Sequence, residues 1–256
     1  MFKKLLAAFS SAPKQPVAPT APPPRPQAPA NPAQAALLQQ IERMSKEDPL
    51  IGAKIGSKEV TAKLIAAMTT ERGVHVDSLL CALGALAGYA CQSAVRRTAE
   101  AMGIEPNALL TVVETGDGKT FYFGDQLNKP LAENPYSVWS VAAGGAQEAG
   151  CTVMPDLAAI FTHVAQDVGS DQFGVPRVPE KNKAQDSPIN YLTGFWPHIK
   201  PVLALYCPER AQWPIMLALS IQQVIVMAKE AIEPGLALTI VMESAVPMSK
   251  VDVGMI

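Results

Sequence analysis

The amino-acid sequence predicts a mainly α fold (α+β with one β-hairpin), a compact multi-helix domain around a central apolar helix, behind a disordered N-terminal tether. Three observations predict it. Prolines crowd the N-terminal segment, apolar residues recur at helical spacing through most of the remainder, and one β-branched and aromatic stretch surrounds a glycine-containing turn. The predicted organisation is a tip (1–9), a linker (10–32) and one globular domain (33–256).

The predicted linker, residues 10–32, has the composition of a disordered segment. Nine of the 23 prolines lie between Pro13 and Pro32, with almost no large apolar side chains among them. Such a segment cannot bury enough surface to offset the entropy of ordering it. We therefore expect a semi-rigid spacer of polyproline II character.

The tip before this linker is amphipathic and basic. On a helix its large apolar side chains would share one face, away from Lys3 and Lys4; they are Phe2, Leu5, Leu6 and Phe9. The tip is therefore a candidate docking peptide for a protein partner, or a weak contact with a membrane surface. The alternative is a frayed terminus, because nine residues form a marginal helix in water.

Helical spacing begins near Ala33 and again at Ser57, whose side chain can cap a helix. The most informative helix follows, with Asp77 or Ser78 as its cap. Its run from Leu79 to Cys91 is apolar on both sides, which is typical of a helix in the middle of a domain. Thirteen apolar residues suit a buried core helix better than a membrane span.

The clearest strand pattern lies between residues 109 and 123. Leu109 to Glu114 is rich in β-branched residues, Gly116 to Gly118 forms a turn sequence, and Thr120 to Phe123 contains three aromatic residues. This pattern predicts a β-hairpin. A lone two-stranded hairpin is marginal in water, so we expect it to pack on the helices.

Further helix starts are predicted where a capping or loop residue precedes proline or an apolar stripe; they are Asn134-Pro135, Asp156-Leu157, Ser187-Pro188, Trp213-Pro214 and Glu233-Pro234. The helix from residue 188 is expected to break at Pro197 and Pro201. The segment Leu236 to Glu243 fits a helix or a strand. Residues 169–187 are a predicted loop, a candidate for a mobile, partner-contacting segment with Phe173 as an apolar anchor, or else a solvated connection.

The charge distribution argues against nucleic-acid binding. The chain carries −2 overall, and the four basic residues before Glu42 have no acidic neighbour in that segment, so the remainder carries about −6. An acidic body without a Lys/Arg cluster lacks the electrostatic footprint of phosphate-backbone binding. We expect no nucleic-acid partner.

Cysteine usage favours a reducing compartment. The four cysteines (Cys81, Cys91, Cys151 and Cys207) form no CxxC pair and no Cys/His spacing of the zinc-site type. Buried free thiols in the cytoplasm are the simplest interpretation. We expect no metal site and no cofactor.

Three catalytic patterns fail on inspection. Gly118-Lys119-Thr120 resembles the end of a phosphate loop, but Val113 occupies the position of the first glycine. His163 and Asp167 are one helical turn apart, a spacing common in exposed intrahelical pairs. A pair of His198 and Cys207 would need a spatial adjacency that sequence does not show.

The polar segment after the hairpin is the best candidate for a small-ligand site. Asp125 and Asn128 follow the aromatic strand, and Tyr122 lies within it. Binding residues often lie on loops held by rigid elements. The alternative is a turn in which these side chains bond to the backbone.

The sequence therefore leads to two functional hypotheses. The favoured one is a cytoplasmic, non-enzymatic interaction or adaptor module tethered through its N-terminus, with a protein partner and peripheral contact with the membrane through residues 1–9. The alternative is an enzyme or small-ligand-binding protein of unfamiliar type, with its site near the hairpin at Asp125 and Asn128. A crevice with convergent polar groups would favour the second hypothesis.

Overall fold

The computed structural model describes residues 32–252, which are mostly helical. The helices are α1 (Pro32–Met44), α2 (Ile51–Met68), α3 (Val76–Ala101), α4 (Asp125–Asn128), α5 (Val138–Glu148), α6 (Leu157–Gln166), α7 (Pro188–Tyr206), α8 (Trp213–Met227) and α9 (Pro234–Met248). The strands are β1 (Thr69–Thr70), β2 (Gly73–Val74), β3 (Thr111–Glu114) and β4 (Thr120–Phe123). The mainly α class with one substantial hairpin is confirmed. Among the described residues, 32–39 and 40–252 belong to separate units.

The predicted central helix is α3, and it is buried on both sides. It packs against α7, α8 and α9. Within residues 32–252, α3 is the one helix long and apolar enough to meet the criteria for a membrane span, and 94% of its apolar window is buried inside the protein. It is therefore the core helix of this fold.

Glycine allows α3 and α9 to approach closely. A Cβ atom at Gly88 would overlap the carbonyl oxygen of Ala245 and lie 2.8 Å from its carbonyl carbon. A Cβ atom at Gly84 would meet the carbonyl group of Val241 in the same way. Backbone atoms cannot move aside as a flexible side chain can, so this contact requires glycine.

Two helix starts differ from the prediction. The second helix begins at Ile51, and Ser57 is a buried interior residue whose hydroxyl accepts from Gln223 Nε2 at 2.8 Å. At α3 the capping side chain is His75, whose Nδ1 accepts from the backbone N of Ser78. Asp77 instead lies in the first turn, where its negative charge interacts favourably with the helix dipole.

The predicted start at Asn134-Pro135 is also wrong. A π-helical turn occupies Lys129–Glu133, and Asn134 ends it in an extended conformation. Helix α5 begins only at Val138, where the Ser137 hydroxyl accepts from the backbone N of Ser140. The local cap is therefore a serine three residues further along the chain.

Helix α7 is continuous through Pro197 and Pro201, contrary to the prediction of a break. Both prolines lie on the exposed side of the helix, where water can bond to the carbonyl groups left without a donor. Leu192, Trp196 and Ile199 bury the other side. That burial outweighs the hydrogen bonds lost at the prolines.

The segment Leu236 to Glu243, which fitted a helix or a strand, is helical and lies within α9. The hairpin forms as predicted, with Thr111 opposite Phe123 and Glu114 opposite Thr120. It packs on the rest of the domain through β4, as Tyr122 N donates to Lys250 O at 2.8 Å. A short β1–β2 ladder at residues 69–74 was not predicted.

Candidate functional site

A cavity of about 670 Å³ opens beside the hairpin. Four segments that are distant in sequence form its walls. They are the hairpin turn with the start of β4, the loop after α6, the first turn of α7, and the residues that follow α9; the lining runs over 118–121, 169–175, 187–189 and 248–252.

The floor of this cavity is apolar. Phe121, Met248 and Val251 are buried, and the ring of Phe173 packs edge-to-face on Phe121 with 4.7 Å between the ring centres. Phe121 also pairs with Val251 through an isolated antiparallel bridge, which fixes the residues after α9 against β4. The floor is therefore suited to an apolar group.

The rim of the cavity is polar, and two of its charged residues, Lys119 and Asp252, have partners. Lys119 Nζ lies 2.8 Å from the Asp117 carboxylate, and the hydrogen bonds from Lys119 and then Thr115 lower the pKa of Asp117 to about 2. Asp252 accepts from the Tyr122 hydroxyl at 3.0 Å. The Ser170 hydroxyl accepts from the backbone N of Gln172. The rim can orient a bound group through hydrogen bonds.

The structure separates the predicted site residues. Phe173 lines the cavity, whereas Asp125 and Asn128 belong to the short helix α4 and do not line it. Tyr122 is buried in the hairpin, with the guanidinium of Arg96 4.7 Å from its ring centre. Burial and then the hydrogen bond to Asp252 raise the pKa of Tyr122. The tip residues Phe2, Leu5, Leu6 and Phe9 lie outside the described residues.

The thiols and imidazoles have structural surroundings. All four cysteines are buried and free. Burial raises the pKa of Cys81 to about 11 and that of Cys207 to about 12, so both stay protonated at neutral pH. His163 Nδ1 lies 3.1 Å from the Asp167 carboxylate, within one helical turn. In the part of the chain that the structure describes, no three His, Cys, Asp or Glu residues form a metal-binding group.

One buried charged residue, Lys250, was not found from the sequence. Its side chain is 3% exposed, and its Nζ lies 4.6 Å from the ring centre of Phe123 and 5.7 Å from that of Phe161. Burial lowers the pKa of Lys250 to about 8, and the nearby Cys91 opposes this shift. Lysine is rarely buried, so the residue type alone does not predict a buried position here.

Comparison of this sequence with protein-family models, with curated proteins and with solved structures found no match.

Proposed function

We propose that this chain is a non-enzymatic interaction module that binds a protein partner at the cavity beside the hairpin. The observation that carries the proposal is the apolar floor of Phe121, Phe173, Met248 and Val251 inside a polar rim. A buried apolar pocket surrounded by polar groups is the usual receptor for an anchoring side chain of a protein partner. Among the residues that the structure describes, the cavity lining contains no histidine and no cysteine.

The buried free thiols support a place in the cytoplasm, because such thiols persist in a reducing compartment. The basic, amphipathic tip supports a second, peripheral contact with a membrane surface. A weak anchor of this kind needs a second contact to hold a protein stably. In this proposal the cavity supplies that second contact through the bound partner.

The test compares partner capture by three forms of the full chain, namely the parent, Phe173→Ser and Val153→Ser. Val153 is an exposed apolar residue outside the cavity lining, so it serves as the matched control. We expect the parent and the control to retain the same partner and Phe173→Ser to lose it while staying folded at the assay temperature, which circular dichroism checks. Equal capture by all three forms would overturn the proposal. A version beginning at Ala33 then separates the contribution of residues 1–32.

The second candidate function is small-molecule binding in the same cavity. Its volume of about 670 Å³ supports this candidate, because small-ligand pockets typically enclose about 300–1,000 Å³. A ligand that binds the folded state raises the melting temperature. A compound that does so for the parent and for Val153→Ser, but not for Phe173→Ser, would favour this candidate over a protein partner.

A further inference from the structure

The segment from Gly169 to Ser187, called the strap, contributes to two cavities. Its first half lines the cavity beside the hairpin, and a second cavity of about 320 Å³ is enclosed almost wholly by the strap itself, over residues 174–188. Gly174, Val175 and Ser187 line both. The strap at Gly174–Val175 is therefore common to both cavities.

An ion pair ties the strap to α9. Arg177 Nε lies 2.9 Å and its Nη2 2.8 Å from Glu243 Oε1. The Arg177 backbone N approaches Glu243 Oε2 at 3.4 Å, and Nη2 also donates to Ala159 O at 3.3 Å. A single strap residue thus bonds both oxygens of one carboxylate.

Glu243 and Arg177 differ in burial, and this difference indicates which side of the ion pair can move. The side chain of Glu243 is 3% exposed and that of Arg177 is 45% exposed. A buried carboxylate is costly without a cation, and among residues 32–252 the ion pair of Glu243 is with Arg177. The core side of the contact is fixed in α9, so the strap is the part that moves when the pair breaks.

The remaining ties of the strap to α3 lie further along the chain and are hydrogen bonds without an ion pair. Asn182 Nδ2 donates to Asp77 Oδ1 at 2.9 Å, and the backbone N of Gln185 donates to the Ser78 hydroxyl at 2.9 Å. Both attach the strap to the first turn of α3. Between Phe173 and these ties, the ion pair of Arg177 is the main attachment of the strap.

We propose that the Arg177–Glu243 ion pair is a latch that holds the strap over Met248, and that its release uncovers Met248 and widens the cavity beside the hairpin. Met248 is 2% exposed, and a Cβ atom at Gly174 would lie 3.1 Å from its Cε. The strap backbone is thus in close contact with the floor of the cavity. The latch acts whatever the cavity binds.

Methionine oxidation tests the latch in the full chain. Hydrogen peroxide converts a methionine to its sulfoxide and is itself reduced to water, at a rate that follows access to the sulfur. Mass spectrometry measures the rate at each methionine. Met216 and Met242 are fully buried elsewhere and report global unfolding, whereas Met102 and Met227 are exposed and report the reagent itself.

The variants are Arg177→Leu and, as a matched control, Lys183→Leu. The control removes an exposed ion pair with Glu180 from the same strap. In Arg177→Leu we expect Met248 to oxidise about tenfold faster or more, since a hydrogen bond to a charged group is lost from the closed state. Met216 and Met242 should stay slow, and the control should match the parent.

Two results would overturn the latch. One is an unchanged rate at Met248 in Arg177→Leu, and the other is a joint rise at every buried methionine, which indicates global unfolding. The double variant Arg177→Leu, Glu243→Leu removes both charges and so leaves no uncompensated carboxylate. In this double variant Met248 should still oxidise faster than in the parent, and a return to the parent rate would also overturn the proposal.

Discussion

Replacing Lys250 by methionine should make the protein more stable at neutral pH and remove part of its pH dependence. Lys250 is 3% exposed, and among the described residues its amine has no carboxylate in an ion pair. Burial lowers its pKa to about 8, against 10.5 for an ordinary lysine. Methionine has nearly the same length and no charge to desolvate.

The expected magnitude follows from that difference in pKa. Between pH 8 and pH 10.5 the unfolded chain binds more protons at this site than the folded protein, so the free energy of unfolding rises with pH across this window. A difference of about 2.5 units corresponds to about 3 kcal/mol, with the full cost present below pH 8 and absent above pH 10.5. Contacts of the charged amine with the rings of Phe123 and Phe161 offset about 0.5–2 kcal/mol of this cost of burying the charge.

Urea unfolding between pH 7 and pH 10.5 measures this effect. The parent should gain stability over this range relative to Lys250→Met, and at pH 7 the variant should be more stable by about 1–3 kcal/mol. Lys200→Met, at an exposed position on α7, is the control and should follow the parent. Identical pH dependence in the parent and Lys250→Met would refute the reasoning, because it would show that the amine is solvated.

Two further predictions concern the core and the tip. Gly88→Ala should lower the free energy of unfolding by about 1–3 kcal/mol, because its Cβ would overlap the carbonyl group of Ala245. Gly194→Ala, with open space at its Cβ, should be neutral or stabilising, and thermal melts that rank the two alike would contradict the close helix contact. With anionic liposomes, the full chain should co-sediment more than its Phe2→Glu, Leu6→Glu variant, since the change removes the apolar face. Equal sedimentation would remove the membrane contact from the proposal.

The elements that the sequence predicted well have signals within a few residues of their ends. Asp156 caps α6 by accepting from the backbone N of Ala159, three residues further on. Glu233 accepts from the backbone N of Gly235 and Leu236 at the start of α9. Such contacts depend only on neighbouring residues, so a local pattern identifies them.

The errors arose where tertiary packing outweighs local preference. Glycine disfavours a helix, yet Gly52 and Gly56 lie in the first turns of α2. A Cβ at Gly52 would overlap the carbonyl oxygen of Tyr206, and one at Gly56 would lie 2.8 Å from Tyr206 Cβ. These glycines are required by the close packing of α2 on α7. The sequence of residues 51–57 alone does not indicate that packing.

The candidate site was predictable only in part, for the same reason. Phe173 could be chosen as an apolar residue in a polar loop, but its contact with Phe121 joins residues 52 positions apart. Met248 and Val251 complete the floor from the other end of the chain. Asp125 and Asn128 are adjacent to the hairpin in sequence, but they do not line the cavity.

The segment after α9 explains why Lys250 stays buried despite the cost. Gln92 Nε2, on the central helix, donates to both Ser249 O and Val251 O at 3.0 Å, and Tyr122 N donates to the carbonyl group between them. The backbone on both sides of Lys250 is therefore fixed by α3 and by β4. Because the amine cannot reach water unless these hydrogen bonds break, its desolvation is a cost of docking the hairpin onto the core helix.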